Sequence, residues 1–201
     1  GFSGGTIASM AFLVDAIRKD RRMLRIMGNP YALVPGDTGP DRNDSRAVEF
    51  WDEHRIWTTP FIMAGCNTRV VRRSHALLGY PWGRSFSYAE AMGTGRGVQG
   101  WARAQTMRLL LGLLVTVMAV PWARKIAIGR VLPRPGDGPS ESERQRGYFS
   151  ARVVGTRGDE TVELDVVGDG DPGYLATSRM LAQTAIALAK DDLPERYGVL
   201  T

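Results

Sequence analysis

The chain has 201 residues, of which 43% are hydrophobic and 23% are charged, so it can form a globular core and is not a disordered protein. One cysteine, Cys66, excludes an internal disulfide and a cysteine-based zinc site, and two histidines, His54 and His75, are too few for a histidine-rich metal cluster. The net charge of +5 suits nucleic acid, anionic lipid or a phosphorylated ligand, and charge alone does not distinguish these three.

The first residues, Gly1-Phe2-Ser3, contain neither an initiator methionine nor the basic and apolar regions of a signal peptide. With a single cysteine, this favours a reducing compartment, and we expect a cytoplasmic protein. We also expect the chain to be a fragment of a longer protein, forming a single domain over residues 1–201.

Residues 3–19 begin with the glycine-rich turn Ser3-Gly4-Gly5-Thr6 and continue with apolar residues at helical spacing, followed by basic residues. This pattern predicts an amphipathic helix. Two interpretations of its start remain open, because Ser3 or Thr6 could cap the helix, or the N–H groups of the turn could face an anion. Proline and glycine then predict a loop over residues 29–43, with a short extended piece at 31–34.

Residues 50–64 are rich in aromatic side chains and end in an apolar stretch that predicts a buried strand. We interpret His54, which lies among these aromatic residues, as a structural histidine rather than a proton donor. A later stretch, residues 85–92, alternates polar and apolar side chains through Phe86 and Tyr88 and predicts another strand.

Residues 66–78 predict a helix that is capped by Asn67 or Thr68 and ends at Gly79. Its arginines, including Arg69 and Arg72, are clustered within one and a half turns. They either form a solvated face or recognise phosphate or carboxylate through bidentate hydrogen bonds.

Residues 98–128 are the most hydrophobic part of the chain, but the charge-free run between Arg108 and Arg124 is shorter than the roughly twenty residues that span a bilayer. Tryptophans, basic flanks and the break at Pro121 suit a helix that lies against lipid, with a peripheral membrane contact through residues 105–123. They suit a core or dimer-interface helix equally well, and the two interpretations stay open.

The last third of the chain predicts a polar loop over residues 133–146, then a β-hairpin, then a final helix over about 174–190 with apolar residues on two adjoining faces. Gly168, Gly170 and Gly173 spell G-x-G-x-x-G between the last strand and this helix, which resembles a dinucleotide-binding fingerprint. Two acidic residues in the turn would repel a pyrophosphate. We therefore interpret the motif as a helix start with Asp171 as N-cap and Pro172 as the first helical residue.

The order of several motifs resembles the C-terminal half of the saccharopine dehydrogenase-like oxidoreductases, and in particular the actinobacterial trans-acting enoyl reductases of lipid and polyketide synthesis. The resemblance covers essentially the whole chain. The motifs that carry it are residues 3–9, 57–64, 67–74, 171–174 and 198–201.

This resemblance implies an α+β fold with a mixed, largely antiparallel sheet and helices packed on one face. It also implies an N-terminal Rossmann domain that binds NADP, and no glycine fingerprint with a βαβ context occurs in this sequence, so that domain is absent from this chain. We expect the final helix to contact the missing Rossmann domain.

The resemblance further implies the substrate-binding and dimerisation part of an NADP-dependent enoyl reductase, acting on acyl or polyketide chains that are free or bound to a carrier protein. The candidate substrate-binding residues are Trp57, Asn67, Arg69 and Arg72, and the candidate residues facing the nicotinamide are Ser3, Gly4, Gly5 and Thr6. We expect a homodimer, no bound metal, and no activity of this chain alone.

Two other functions remain open. The fold could serve as a non-catalytic module that binds a lipid surface or a protein, which would explain the basic balance and the apolar run. A saccharopine-type amino-acid dehydrogenase would need many polar groups for a dicarboxylate substrate, and the apolar run argues against it. Nucleic acid is not an expected partner, because the arginines are not interleaved with aromatic residues on a strand.

Overall fold

The structure is a computed structural model that describes residues 4–34, 36, 38–134 and 136–192. The chain divides into two compact units: a larger one, Thr6–Leu132, and a smaller one that contains the other described residues. Each unit combines helices with antiparallel strands, which confirms the α+β prediction. The strands form two separate sheets, one in each unit, instead of a single sheet.

In chain order, the described residues of the larger unit form five helices and three strands. They are α1 (Gly4–Lys19, whose first two residues are grouped with the smaller unit), α2 (Arg22–Gly28), β1 (Glu49–Trp51), β2 (Ile56–Pro60), α3 (Ala64–Leu77), β3 (Ala91–Gly95), α4 (Gly97–Ala119) and α5 (Pro121–Ala127). The three strands pair in the order β1-β2-β3, with Phe50 opposite Trp57 and Trp57 opposite Gly95.

Helix α4 packs against this sheet through small residues and threonine hydroxyls. Thr59 on β2 donates to the carbonyl of Ala104 at 3.2 Å, and Thr94 on β3 donates to the carbonyls of Trp57 and Gly100 at 2.9 Å. A β-carbon at Gly100 would lie 2.2 Å from the carbonyl oxygen of Gly95, so the close approach requires glycine.

The described residues of the smaller unit after Leu132 form α6 (Glu141–Arg146), β4 (Tyr148–Arg157), β5 (Glu160–Asp169) and α7 (Leu175–Lys190). The two strands form the predicted hairpin, paired from Tyr148 opposite Asp169 to Arg157 opposite Glu160. Its two-residue loop begins at Gly158, where φ is +59°. Val162, Leu164 and Val166 of β5 lie on one face of the hairpin, and Arg152 and Asp165 form a bidentate ion pair on the other.

Local periodicity predicted α1 and α7 with boundaries within about two residues, and the hydrophobic part of the chain at 98–128 corresponds to α4 and α5. The break at Pro121 is also confirmed, because Pro121 is the first residue of α5. Within the described part of the chain, α4 is long and apolar enough to cross a membrane by length and composition only, which is weak evidence of a membrane protein, and it is largely exposed.

Five local predictions were wrong. The apolar stretch after Pro60 is not a strand, because residues 62–63 form a turn and α3 begins at Ala64. Residues 31–34 form a turn rather than an extended piece. Helix α3 begins at Ala64, so neither Asn67 nor Thr68 caps it. Residues 85–90 are not a strand, because the Tyr88 N–H donates to the Asp41 carboxylate instead of to a neighbouring strand. The polar loop 133–146 ends in α6, whose start is a capping box formed by Ser140 and Glu143.

The start of the final helix also differs from the prediction. Helix α7 begins at Leu175 with Tyr174 as its N-cap, so Asp171 is not the N-cap and Pro172 is not the first helical residue. The Asp171 carboxylate accepts a hydrogen bond from the Tyr174 N–H at 2.8 Å, and its carbonyl accepts one from Ala176 at 3.0 Å. Asp171 therefore stabilises the turn that precedes the helix.

Candidate functional site

Three of the four predicted substrate-side residues lie on α3, and two of them form ion pairs with a loop that precedes it in the chain. Arg72 pairs with Asp41 and Arg69 pairs with Asp44, at nitrogen–oxygen distances of 2.5 and 3.0 Å. We call these four residues the arginine–aspartate cluster. The two aspartates are three residues apart in the loop, and the two arginines are three residues apart on α3. Residues at this spacing lie on the same face of a helix, so both ion pairs form between one face of α3 and one stretch of the loop.

Arg72 is the buried centre of this cluster. Besides Asp41, its guanidinium donates to the carbonyls of Pro30 and Tyr88, at 3.1 and 3.0 Å, and to the Thr68 hydroxyl at 3.1 Å. A planar guanidinium can satisfy several acceptors at once in this way. All three of its nitrogens therefore have partners within the chain, and the interpretation of these arginines as a solvated face is wrong for Arg72.

Arg69 lies nearer the surface and holds the end of α2. Its guanidinium donates to the carbonyls of Met27 and Asn29, at 2.5 and 3.2 Å, and to Gly65 of its own helix at 2.6 Å. The Met27 carbonyl belongs to the last turn of α2, where backbone oxygens lack helical partners and where a positive charge is favourable. Arg69 thus acts as a C-terminal cap for a neighbouring helix.

The Asp41 carboxylate is held in its charged form by its neighbours. Burial raises the pKa of Asp41, but hydrogen bonds from Ser87 and Arg72 and the charge of Arg72 outweigh burial and hold that pKa below its usual range. The Tyr88 N–H also donates to this carboxylate, at 3.1 Å. The cluster therefore joins the loop before β1, α3 and the segment before β3 through one carboxylate.

A second polar group surrounds Glu90, beside the cluster. Its carboxylate accepts hydrogen bonds from the amide of Asn67 at 3.0 Å and from the phenol of Tyr88 at 2.9 Å. Burial, followed by the hydrogen bond to Glu90, raises the pKa of Tyr88 to about 12. All three side chains are half-buried, so this group keeps some surface that a ligand could reach.

A small cavity lies on the other side of Arg72, between that side chain and His75. Its volume is about 40 Å³, which is room for about one water and far too little for an acyl chain. His75 stacks on Trp82 at 5.1 Å, and its Nε2 donates to the Gly83 carbonyl at 2.9 Å, while its buried Nδ1 has no hydrogen-bond partner. The cavity is therefore not a substrate pocket.

Trp57, the fourth predicted substrate-side residue, lies on β2. Its half-buried ring packs against Phe50 with 5.0 Å between ring centroids. The structure therefore groups Asn67, Arg69 and Arg72 on one helix and places Trp57 on a separate element. His54, which we interpreted as structural, packs its ring against Trp51 at 4.1 Å.

The residues predicted to face a nicotinamide occupy the first turn of α1, except Ser3, which lies outside the described residues. The Gly4 N–H donates to the carbonyl of Asp137 at 2.9 Å, so one N–H of the predicted anion site already has a partner. Gly5 and Thr6 follow in the same helical turn, and a role for these four residues in cofactor binding stays a prediction.

The glycines of the G-x-G-x-x-G motif do not form a cradle for a pyrophosphate. A β-carbon at Gly168 would lie 2.3 Å from the ring of Phe149, so this glycine makes room for an aromatic side chain. Gly170, with φ at +94°, is buried and turns the chain toward α7. The motif serves the join between hairpin and helix, and the described residues there do not fit a dinucleotide.

Sequence reasoning missed Asp41, Asp44, Tyr88 and Glu90, which provide the carboxylates and the phenol around α3. One signal was present, because the three-residue spacing of the aspartates matches that of Arg69 and Arg72. Residues 29–43 were interpreted only as a loop, because of their prolines and glycines, and the aspartates in and beside this loop were not considered as ion-pair partners. Among the described residues, no group of three or more histidine, cysteine, aspartate or glutamate side chains is arranged to hold a metal ion.

The geometry of these residues does not by itself identify a reaction, and a comparison with known proteins provides the names of similar proteins. The chain is similar to trans-acting enoyl reductases along its whole length. A Mycobacterium tuberculosis protein whose name provisionally describes it as a trans-acting enoyl reductase is 39% identical over 219 aligned residues, which cover 100% of this chain and 51% of that protein. The trans-acting enoyl reductase of Mycobacterium ulcerans is 30% identical, with 99% of this chain and 50% of that protein covered.

A protein of the same name from Mycobacterium bovis is 28% identical, again over 99% of this chain and 50% of its own length. The chain thus spans about half the length of the curated relatives it matches. No protein-family model matches the chain, and no solved structure does.

Proposed function

We propose that this chain is the substrate-binding and dimerisation part of an NADP-dependent enoyl reductase that acts in trans on acyl or polyketide chains in lipid synthesis. The observation that carries the proposal is the similarity of the whole chain to proteins named trans-acting enoyl reductase, of which it spans only half. The proposal assigns this chain to their C-terminal half, places the protein in the cytoplasm and keeps the saccharopine dehydrogenase-like resemblance as its wider family.

The described fold supports a division of labour between two halves. Every named strand pair in it is antiparallel, and the glycine motif at 168–173 supports a turn rather than a phosphate. NADP would supply the hydride and, in this proposal, is bound mainly by a Rossmann domain outside this chain, with Ser3, Gly4, Gly5 and Thr6 facing the nicotinamide.

On the substrate side, the residues divide into two kinds. Asn67 and Trp57 are half-buried and keep exposed surface, so we assign to them contact with the acyl or carrier-bound substrate. Arg69 and Arg72 are committed to internal carbonyls and carboxylates, so we assign to them the positioning of the loop that forms one wall of the site. The amide of Asn67 could then donate to the oxygen of an enolate.

Exposed apolar surface in the smaller unit supports the assignment to a larger assembly. On α7, Met180, Leu181, Ile186 and Leu188 are all exposed, although the sequence predicts a helix that is buried on two faces. The proposal covers this helix with the Rossmann domain of the longer protein and includes a homodimer.

The test is an assay of the full-length protein with NADPH and an enoyl thioester. Asn67→Ala and Trp57→Leu should each raise KM for the thioester at least about fivefold, which corresponds to a lost contact of about 1 kcal/mol. Gln99→Ala, which removes an exposed amide from α4, is the matched control and should leave KM unchanged.

The double variant Arg69→Ala/Arg72→Ala needs circular dichroism beside the assay, because these residues hold the fold. No consumption of NADPH with any enoyl thioester would overturn the proposed reaction. Normal KM values in both Asn67→Ala and Trp57→Leu would overturn the assigned substrate contacts while leaving the reaction itself intact.

A further inference from the structure

Helix α4 has a buried side and an outer side, and the outer side is apolar. Gly100, Ala104 and Met118 are buried. At 100° per residue, Val98, Leu109 and Leu113 project from the opposite side, with 81%, 69% and 59% of their surface exposed. We call the residues that share this side the outer face: Val98, Ala102, Thr106, Leu109, Leu113 and Thr116.

The two hydroxyl groups of the outer face do not need water. Thr106 donates to the carbonyl of Ala102 at 2.9 Å, and Thr116 donates to the carbonyl of Gly112 at 2.8 Å, both four residues earlier in the same helix. Threonine satisfies its hydroxyl in this way in apolar surroundings. The six residues of the outer face therefore carry no polar group whose only available partner is solvent, and the amides of Gln99 and Gln105 lie at its edges, between it and the arginines that border it.

Positive charge borders this face, and no negative charge does. Arg103 and Arg108 project on its two sides, about 120° and 100° from Leu109 by helical geometry. Between Glu90 and Asp137 the sequence contains no acidic residue, while its basic residues are Arg96, Arg103, Arg108, Arg124, Lys125, Arg130 and Arg134. Exposed tryptophans, Trp101 and Trp122, lie near the two ends of the helix.

We propose that the outer face of α4 binds the surface of an anionic lipid membrane. The helix lies along the membrane plane, with Leu109 and Leu113 among the upper acyl chains, Arg103 and Arg108 against lipid phosphates, and tryptophan rings at headgroup depth. This interaction is independent of the reductase reaction and holds whether or not that reaction is found.

The charges favour lipid over a second copy of this chain. A two-fold interface through the outer face would bring Arg103 and Arg108 of one copy against the same face of the other, where no acidic residue of α4 could pair with them. An anionic bilayer supplies both an apolar phase and phosphate partners for the arginines.

The test is flotation of the full-length protein with vesicles, using phosphatidylcholine alone or phosphatidylcholine mixed with phosphatidylglycerol. The protein should float with the anionic vesicles and remain in solution with the neutral ones. Leu109→Ser/Leu113→Ser should lower the constant for partitioning of the protein onto anionic vesicles about tenfold or more, because two apolar side chains are no longer buried in the membrane. Arg103→Gln/Arg108→Gln should lower it to a similar extent.

Matched controls change the same residue types elsewhere. Val162→Ser/Leu164→Ser removes two exposed aliphatic residues from β5, and Arg21→Gln/Arg25→Gln removes two exposed arginines from α2 and the residue before it. Neither control should weaken flotation by more than about twofold. The arginine control lowers the total charge of the protein, but it leaves the charges beside the outer face in place. Equal losses in controls and outer-face variants would overturn the assignment.

A cysteine at position 109 separates lipid from a protein partner. In a Cys66→Ser background, which removes the exposed native thiol, Leu109→Cys should react with a maleimide in solution and become protected when anionic vesicles are added. Protection without vesicles would mean that a second copy or the rest of the longer protein covers the face, and would overturn the proposal. Absence of flotation by the wild-type protein would overturn it as well.

Discussion

Nε of Arg72 lies 2.5 Å from Oδ2 of Asp41, and both side chains are only 4% exposed. A buried ion pair of this kind contributes little net stability compared with an apolar pair, because desolvation of both charges offsets their attraction. Breaking it is a different matter, since the remaining charge stays buried without a partner.

Arg72→Ala should therefore lower the free energy of unfolding by about 3–5 kcal/mol. Three further acceptors, at Pro30, Thr68 and Tyr88, lose the same guanidinium. Urea denaturation followed by circular dichroism measures the change. The control is Arg73→Ala on the same helix, whose exposed side chain makes a 3.1 Å hydrogen bond to the Leu33 carbonyl and should cost about 1 kcal/mol or less. Equal losses in the two variants would contradict the assigned role of Arg72.

The lowered pKa of Asp41 makes stability depend on acid. A carboxyl group whose pKa is lowered by folding adds stability above its unfolded pKa, about 4, and this contribution is lost as the pH falls through the lower folded value. Wild-type protein should thus lose more stability between about pH 5 and about pH 2 than Asp41→Asn does. Asp159→Asn, in the exposed hairpin loop, is the control and should keep the wild-type slope.

Tyr88 should be recognisable as a phenol that ionises late. Its pKa of about 12 predicts an ultraviolet titration step near that pH, absent from Tyr88→Phe and shifted to lower pH in Glu90→Gln. Because folding raises this pKa, the associated stability is present below about pH 10 and is lost as the pH rises toward 12. Tyr148→Phe, on the exposed hairpin, is the control and should keep the titration step near pH 12. If the step disappeared in this variant, its assignment to Tyr88 would be wrong.

Two glycines of α4 should respond to alanine with opposite signs. Gly100→Ala places a methyl group against the backbone of Gly95 and should destabilise the fold by about 1–3 kcal/mol. At Gly112 nothing lies within 4 Å of the new methyl group, so Gly112→Ala should stabilise the helix by about 0.5–1 kcal/mol. Thermal unfolding of both variants checks the prediction, and stabilisation by Gly100→Ala would show that α4 and β3 are farther apart than in the structure.

The sequence predicted those parts of the fold that depend on neighbouring residues. Helices α1 and α7 and the hairpin follow from periodicity and turn chemistry within short windows, and α4 lies in the most hydrophobic part of the chain. The arginine–aspartate cluster does not, since Arg72 and Asp41 are 31 residues apart and Arg69 and Asp44 are 25 apart. The same long-range pairing explains why residues 85–90 do not form the predicted strand, because Asp41 and Arg72 bind both the N–H and the carbonyl of Tyr88.

The site residues show the same limit. Asn67, Arg69 and Arg72 were predicted to bind substrate from the family resemblance and from arginine chemistry, yet their hydrogen bonds run to Glu90, Met27 and Asp41. The sequence identifies side chains that can bind an anion, but only the structure shows that their partners belong to the same chain.

The convergence of four chain segments on Arg72 has a consequence for motion. Segments around residues 30, 41, 68 and 88 all accept hydrogen bonds from the Arg72 guanidinium. If one of these segments opens to solvent, the buried guanidinium loses an acceptor, which makes opening of a single segment unfavourable. Amide hydrogens of the 27–34 turn and of Tyr88 should consequently exchange together, at the rate of a single cooperative opening, although neither segment belongs to a sheet.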